Sequence, residues 1–228
     1  LYRDMKRLLI LIMGVIFSLS LNAQIKNYYF PQEGKVYTYL SETRSPMGDE
    51  SCIIKSSAKK DANGNIVFSN AIYNKDGKTL LEKNEVVYNV TANGYEADLK
   101  VIAKSMLDKF ENCKIISSET YTMPLALALN QRFKDCTLKF TGSTQGMDFD
   151  ITYTVSGMKS DKKMTKVKVG AGEYDALRLI SAVEVDMGIQ TVTMDMEEYF
   201  VEGIGPVKKS IDAMNGMAET TITLQSIE

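Results

Sequence analysis

Carboxylates are the only groups in this chain with the chemistry and spacing for acid–base work. Asp148 with Asp150, Glu184 with Asp186, and Asp195 with Glu197 each recur at i, i+2, so each pair shares one face of an extended strand. Two such acids brought within roughly 5 to 9 Å could cleave a glycosidic bond. The same pairs also occupy the polar parity of half-buried strands, where solvated charges belong. Calcium would require an acidic loop with a ligand at every second position, and no such loop is present. The sequence has no histidine, which excludes Ser-His-Asp and Cys-His catalysis and histidine-ligated metals. No catalytic residue, metal ligand or cofactor site is therefore assigned, and the chain is read as a non-enzyme.

Methionine supplies a different chemistry. Met147, Met158, Met164, Met187, Met194, Met196, Met214 and Met217 crowd the C-terminal half, and flexible thioethers suit adaptable apolar pockets. Met194 and Met196 share a strand face with Val192, while Met187 joins the apolar parity of its own strand. With Tyr37 and Tyr39 these three are the candidate ligand-lining residues, against the alternative of methionine as core filler. Met214-Asn215-Gly216-Met217 is a single Met-x-x-Met spacing and not the repeated cluster that would support copper(I) binding. Tryptophan, the commonest sugar-stacking side chain, is absent. Cys52, Cys113 and Cys136 form an odd set; Cys113 and Cys136 border the one segment without strand character and are the expected disulfide, with three reduced cysteines as the alternative.

The elements that position these residues read as strands. Phe149, Ile151, Tyr153 and Val155 alternate with Asp148, Asp150, Thr152 and Thr154, and Leu177, Leu179, Val183, Val185 and Met187 hold one parity of a longer run. Asn63-Gly64, Asp76-Gly77 and Asn93-Gly94 supply the positive φ of tight hairpins. Strands are expected near 35–44, 50–60, 65–74, 78–90, 113–122, 136–143, 148–157, 163–169, 174–187, 190–201, 205–213 and 218–226. Ile102, Ala103, Met106, Leu107 and Phe110 recur at helical spacing and predict a short helix covering the sheet. Leu125, Leu127 and Leu129 fit a buried strand or a second short helix. The fold class is mainly β: an antiparallel meander of about ten to twelve strands curled into a partial or closed barrel, since so wide a sheet cannot stay flat. Residues 24–228 contain no linker and read as one β-rich domain.

Residues 1–23 carry an address. Lys6 and Arg7 precede the apolar run Leu8 to Phe17, and Leu21-Asn22-Ala23 offers a small residue at the cut site. This is the layout of a secretory signal peptide, with cleavage expected after Ala23. No cysteine follows the cut, as a lipoprotein would need, and no later segment is long and apolar enough to span a bilayer as a helix. A soluble periplasmic or secreted protein is expected. A net charge of −2 without a basic cluster lacks the footprint of nucleic-acid binding.

Three stretches carry a family resemblance. They are Tyr28-Tyr29-Phe30-Pro31-Gln32-Glu33-Gly34-Lys35 with Tyr37-Thr38-Tyr39, then Val169-Gly170-Ala171-Gly172-Glu173-Tyr174-Asp175-Ala176, and finally Tyr199-Phe200-Val201-Glu202-Gly203-Ile204-Gly205-Pro206-Val207-Lys208. In order and spacing they resemble the TapB-like family of small exported Gram-negative proteins carrying a domain of unknown function. The resemblance implies a curved, strand-rich exported domain and no established activity, ligand or catalytic position. Asn130 departs from the pattern, standing where a Gly is expected in the turn before Arg132-Phe133.

Physically the motifs read as turns. Gly170-Ala171-Gly172 lies between strand-like runs rather than ahead of a helix, so it forms a hairpin and not a phosphate cradle. Gly203-Ile204-Gly205-Pro206 forces a reversal between two strands. The aromatic cluster Tyr28, Tyr29, Phe30, Tyr37 and Tyr39 is expected to seal one end of the barrel. The reading that follows is an exported, non-enzymatic protein binding a hydrophobic small molecule or a cell-envelope partner. A carboxylate-dependent glycan hydrolase and a purely structural envelope protein are the alternatives.

Overall fold

The computed structural model describes residues 29–144 and 146–228. The leader and its cut site after Ala23, together with Tyr28, lie outside the described residues. Strands follow one another as β1 (Val36–Arg44), β2 (Glu50–Lys60), β3 (Ile66–Asn74), β4 (Leu80–Thr91) and β5 (Gly94–Asp98). Two one-turn helices come next, α1 (Leu99–Ile102) and α2 (Lys104–Leu107). The chain then forms β6 (Glu111–Ser118), β7 (Thr120–Met123), β8 (Cys136–Thr144), β9 (Met147–Ser160) and β10 (Thr165–Val169). It ends with β11 (Gly172–Asp186), β12 (Thr191–Val201), β13 (Gly205–Ala213) and β14 (Ala218–Ile227).

All pairings are antiparallel, in the order β6-β8-β9-β11-β12-β13-β14-β1-β2-β3-β4-β5-β7, with β10 hairpinned onto β11. The two outermost strands, β6 and β7, are consecutive in sequence and meet at Glu119. The Glu119 N–H donates to the Thr137 carbonyl, and its own carbonyl accepts from the Leu99 N–H. Backbone hydrogen bonds therefore run around the circumference at this level, and the sheet curls into a nearly closed barrel.

The turn residues do what their chemistry dictates. Asn63-Gly64, Asp76-Gly77 and Asn93-Gly94 separate β2 from β3, β3 from β4 and β4 from β5, each glycine at positive φ. Gly170-Ala171-Gly172 is the β10–β11 hairpin and Gly203 to Pro206 joins β12 to β13. Gly205, at φ +116°, comes so close to the Phe30 carbonyl that a Cβ would stand 2.8 Å from its oxygen. Asn130 adopts φ +57°, the left-handed conformation that asparagine tolerates in place of glycine.

Large side chains fill the interior. Tyr29, Tyr37, Tyr39, Tyr88, Tyr153, Phe68, Phe140 and Phe200 are completely enclosed. The described part of the aromatic cluster is buried and bonded to the segment joining β12 to β13. The Tyr37 and Tyr39 hydroxyls donate to the Ile204 and Pro206 carbonyls, both at 2.8 Å, and Phe30 meets Phe68, Tyr88 and Tyr95 edge-on or tilted.

Four expectations need correction. The run expected at 113–122 is two strands, because Glu119 hands the chain from β8 to β5. A five-residue strand, β5, begins at Gly94 unannounced. Leu125 to Leu129 form neither strand nor helix; Leu127 is buried and Leu129 exposed. Cys113 and Cys136 do not pair, and all three cysteines are free thiols. Lys114 stands opposite Thr141 and Glu111 opposite Ser143, which puts Cys113 beside the far end of β8 from Cys136. Five residues of strand separate those levels, roughly 17 Å at 3.3 Å per residue, whereas a disulfide needs Cα atoms within about 7 Å.

Candidate functional site

The described wall is incomplete on one side. β4 pairs with β3 from Leu80 to Tyr88, but β5 takes up its other edge only at Asn89 to Thr91. β6 pairs with β8 alone among the described residues. Among the described residues no strand joins the Leu80–Tyr88 edge to β6, and α1 contacts the strands on both sides of this split, with α2 following it. Asp98 caps α1 by accepting from the Lys100 N–H at 3.0 Å and is itself bonded by the Ser118 hydroxyl. Leu99, Ile102, Ala103 and Met106 are buried, and α1 packs against β4, β5, β6 and β8. Phe110, closing the helical segment, lies on Gly142 and stacks edge-on with Phe140 at 5.4 Å. Leu80, Leu81 and Ile116 on the strands that border the split are exposed.

Beneath this wall lies a polar centre that the sequence reading missed. Glu198 on β12 and Lys209 on β13 are direct cross-strand partners bridged at 2.8 Å. They interrupt two apolar faces: Val192, Met194, Met196 and Phe200 on one strand, Val207, Ile211 and Ala213 on the other. A charge of each sign on the apolar parity of two strands joined by a tight turn is the signal that could have revealed them. Burial pushes the Lys209 ammonium below the ordinary lysine range, and Glu198 opposes that shift. Tyr88 and Tyr121 lie close enough to feel Glu198, and burial holds both phenols protonated. The Tyr121 hydroxyl donates to Met158 Sδ at 3.5 Å. Cys136, on the same inner surface, is pushed up to about 12 by burial, with Glu119 and Asp135 adding to the effect. Tyr153 is raised by burial as well, and its hydroxyl has no hydrogen-bond partner among the described residues.

The ligand-lining candidates from sequence sit in the packed core. Met194 lies between Val183 and Ala213, Met196 between Ser181 and Ile211, and both are buried. Met187 is half-buried just beyond β11. Tyr37 and Tyr39 are buried with their hydroxyls committed to backbone carbonyls.

One carboxylate pair borders a groove. Asp148 and Asp150 line an open groove of about 480 Å³ with Asn112, Thr141, Gly142, Ser143 and Phe149. The Ser143 hydroxyl donates to Asp148 at 2.6 Å. Glu184 and Asp186 stand opposite threonines on β9 and β12. Glu197 pairs with Arg178 at 3.3 Å and accepts from the Tyr199 hydroxyl at 2.8 Å. No three acids, cysteines or histidines converge as a metal site among the described residues.

A family model described as DUF3108-like matches residues 32–221. The chain belongs to the DUF3108-like family. This is a domain of unknown function, as the resemblance implies, though under the DUF3108-like description and not the TapB-like one. Two solved structures share the DUF3108-like chain's fold. One, from Bacteroides fragilis, carries the provisional description of an exported protein with a YmcC-like fold. It is 14% identical with a TM-score of 0.57, over 88% of this chain and 99% of that one. The other, a provisional lipoprotein from Parabacteroides distasonis, is 15% identical with a TM-score of 0.59, over 88% and 98%. At such identities the likeness is one of fold. No curated protein matches the sequence. No described helix of the DUF3108-like chain is long and apolar enough to cross a membrane.

Proposed function

We propose that this DUF3108-like protein is an exported, non-catalytic binding protein of the cell envelope that takes an apolar ligand beneath α1 and α2. The observation that carries this reading is the split between β4 and β6, where helices replace strands in the barrel wall. Helices of one turn are marginal by themselves and persist only through the side chains they bury. Leu99, Ile102, Ala103 and Met106 are those side chains, so an acyl chain offers the same inner surface an equivalent apolar partner. Opening here breaks few strand hydrogen bonds, which makes it the low-cost local rearrangement of the barrel. Leu80, Leu81 and Ile116 give the split an apolar border.

The test is uptake of cis-parinaric acid by delipidated protein. Saturable fluorescence enhancement is expected, weakened by Leu81→Glu and Ile116→Glu. Absence of uptake, with no lipid retained by the extracted protein, overturns the reading.

The groove at Asp148 and Asp150 supports a second reading, a carboxylate-dependent glycan hydrolase. Replacing Asp148, Asp150, Glu184 and Asp186 together by Asn or Gln must abolish any turnover observed. Unchanged turnover removes that reading.

A further inference from the structure

The polar groups on the inner surface of β7, β8 and β9 are short of an acceptor. Tyr153 stands opposite Leu138 across the β8–β9 pair and Cys136 opposite Val155, one step along the same inward face. All four are buried, and Tyr121 reaches toward them from β7 to Met158. Three donors are thus enclosed together. The Tyr121 O–H has a thioether sulfur, a weak acceptor. The Tyr153 O–H has none among the described residues. The Cys136 thiol keeps its proton at neutral pH. Glu198, the nearby carboxylate, is engaged by Lys209. A buried hydroxyl without a partner is costly, and what this cluster lacks is an acceptor oxygen. The start of α1 lies beside it, because the Leu99 N–H donates to the Glu119 carbonyl and the Glu119 N–H donates to the carbonyl of Thr137, between Cys136 and Leu138 on β8.

We propose that Tyr153, with Tyr121 and Cys136 beside it, is the polar end of the binding site and donates to the oxygen-bearing head of an acyl-chain amphiphile. The chain of that ligand lies under α1 and α2, so the assignment rests on the apolar-ligand reading above. It names the ligand's class: a long hydrocarbon ending in a carboxylate or carbonyl, in place of a plain hydrocarbon or a sterol-like ring system.

Displacement of cis-parinaric acid by lauric acid and by dodecane, in the wild-type chain and in Tyr153→Phe, decides it. Loss of one hydrogen bond should weaken lauric acid roughly three- to tenfold. Dodecane should be unaffected, and the thermal midpoint should hold or rise because an orphaned hydroxyl has been removed. Tyr121→Phe should give a smaller loss in the same direction. Equal displacement by lauric acid in wild type and Tyr153→Phe overturns the head-group site and leaves the apolar-ligand reading standing. A wild-type chain that takes up no cis-parinaric acid at all removes both.

Discussion

Glu198 and Lys209 face each other across the β12–β13 ladder, 2.8 Å apart, with the Lys209 side chain only 2% exposed. A buried ion pair is weak evidence for stability in itself, since desolvating two charges cancels much of their attraction. Breaking one is another matter. Glu198→Gln leaves an ammonium inside the barrel and should cost about 3 to 5 kcal/mol in urea unfolding. Glu198→Leu combined with Lys209→Met should recover most of that loss. A single variant within about 1 kcal/mol of wild type would show that the pair is not desolvated.

The N-terminal anchor of the helical segment titrates. Burial would raise the Asp98 pKa, but bonds from the Lys100 ammonium, the Ser118 hydroxyl and the Lys100 N–H outweigh it and hold the carboxyl below the ordinary range. Because the folded value lies below the unfolded one, the contribution is complete above about pH 4 and is lost as the pH falls through the folded value. Asp98→Asn should therefore unfold with a flatter acid limb than wild type. Coincident acid limbs for the two chains would refute this anchor.

Gly142 has no room for a side chain. A Cβ there would stand 2.7 Å from the Phe110 Cβ, so Gly142→Ala must displace Phe110 from its seat against Phe140. The expected cost is about 1 to 3 kcal/mol. Hydrogen exchange should accelerate over residues 99–110 while β11 and β12 keep their protection. Uniform acceleration would mean that the helical segment is not an independent opening unit.

Thiol labelling separates the cysteines. Cys113 is exposed and should react with a maleimide in the native, unreduced protein, whereas buried Cys136 should react only after unfolding. Full labelling of all three thiols in denaturant without reductant is expected. A single reactive thiol would restore the Cys113–Cys136 bridge.

Local chemistry made much of the barrel legible. Alternation at Ile151, Tyr153 and Val155 gave the inner face of β9, and Asn-Gly or Asp-Gly pairs marked three hairpins. The candidate site was legible only in part. Met187, Met194 and Met196 were assigned from residue type, and type does not say whether a thioether borders a cavity or a neighbour's side chain. β5 and the break at Glu119 escaped because their pairing partners are distant and their length is too short for periodicity to register.

By itself the sequence determined most strand positions, three hairpin turns and the apolar parity of β9 and β11, because these depend on residues within a few positions of one another. Only the tertiary structure decided that β6 and β7 meet at Glu119, that helices fill the split beside β4, and that Glu198, Lys209, Tyr121 and Tyr153 share one interior. Which edges meet when a sheet curls is set by strand register and twist accumulated around the whole circumference, and no local pattern encodes that sum.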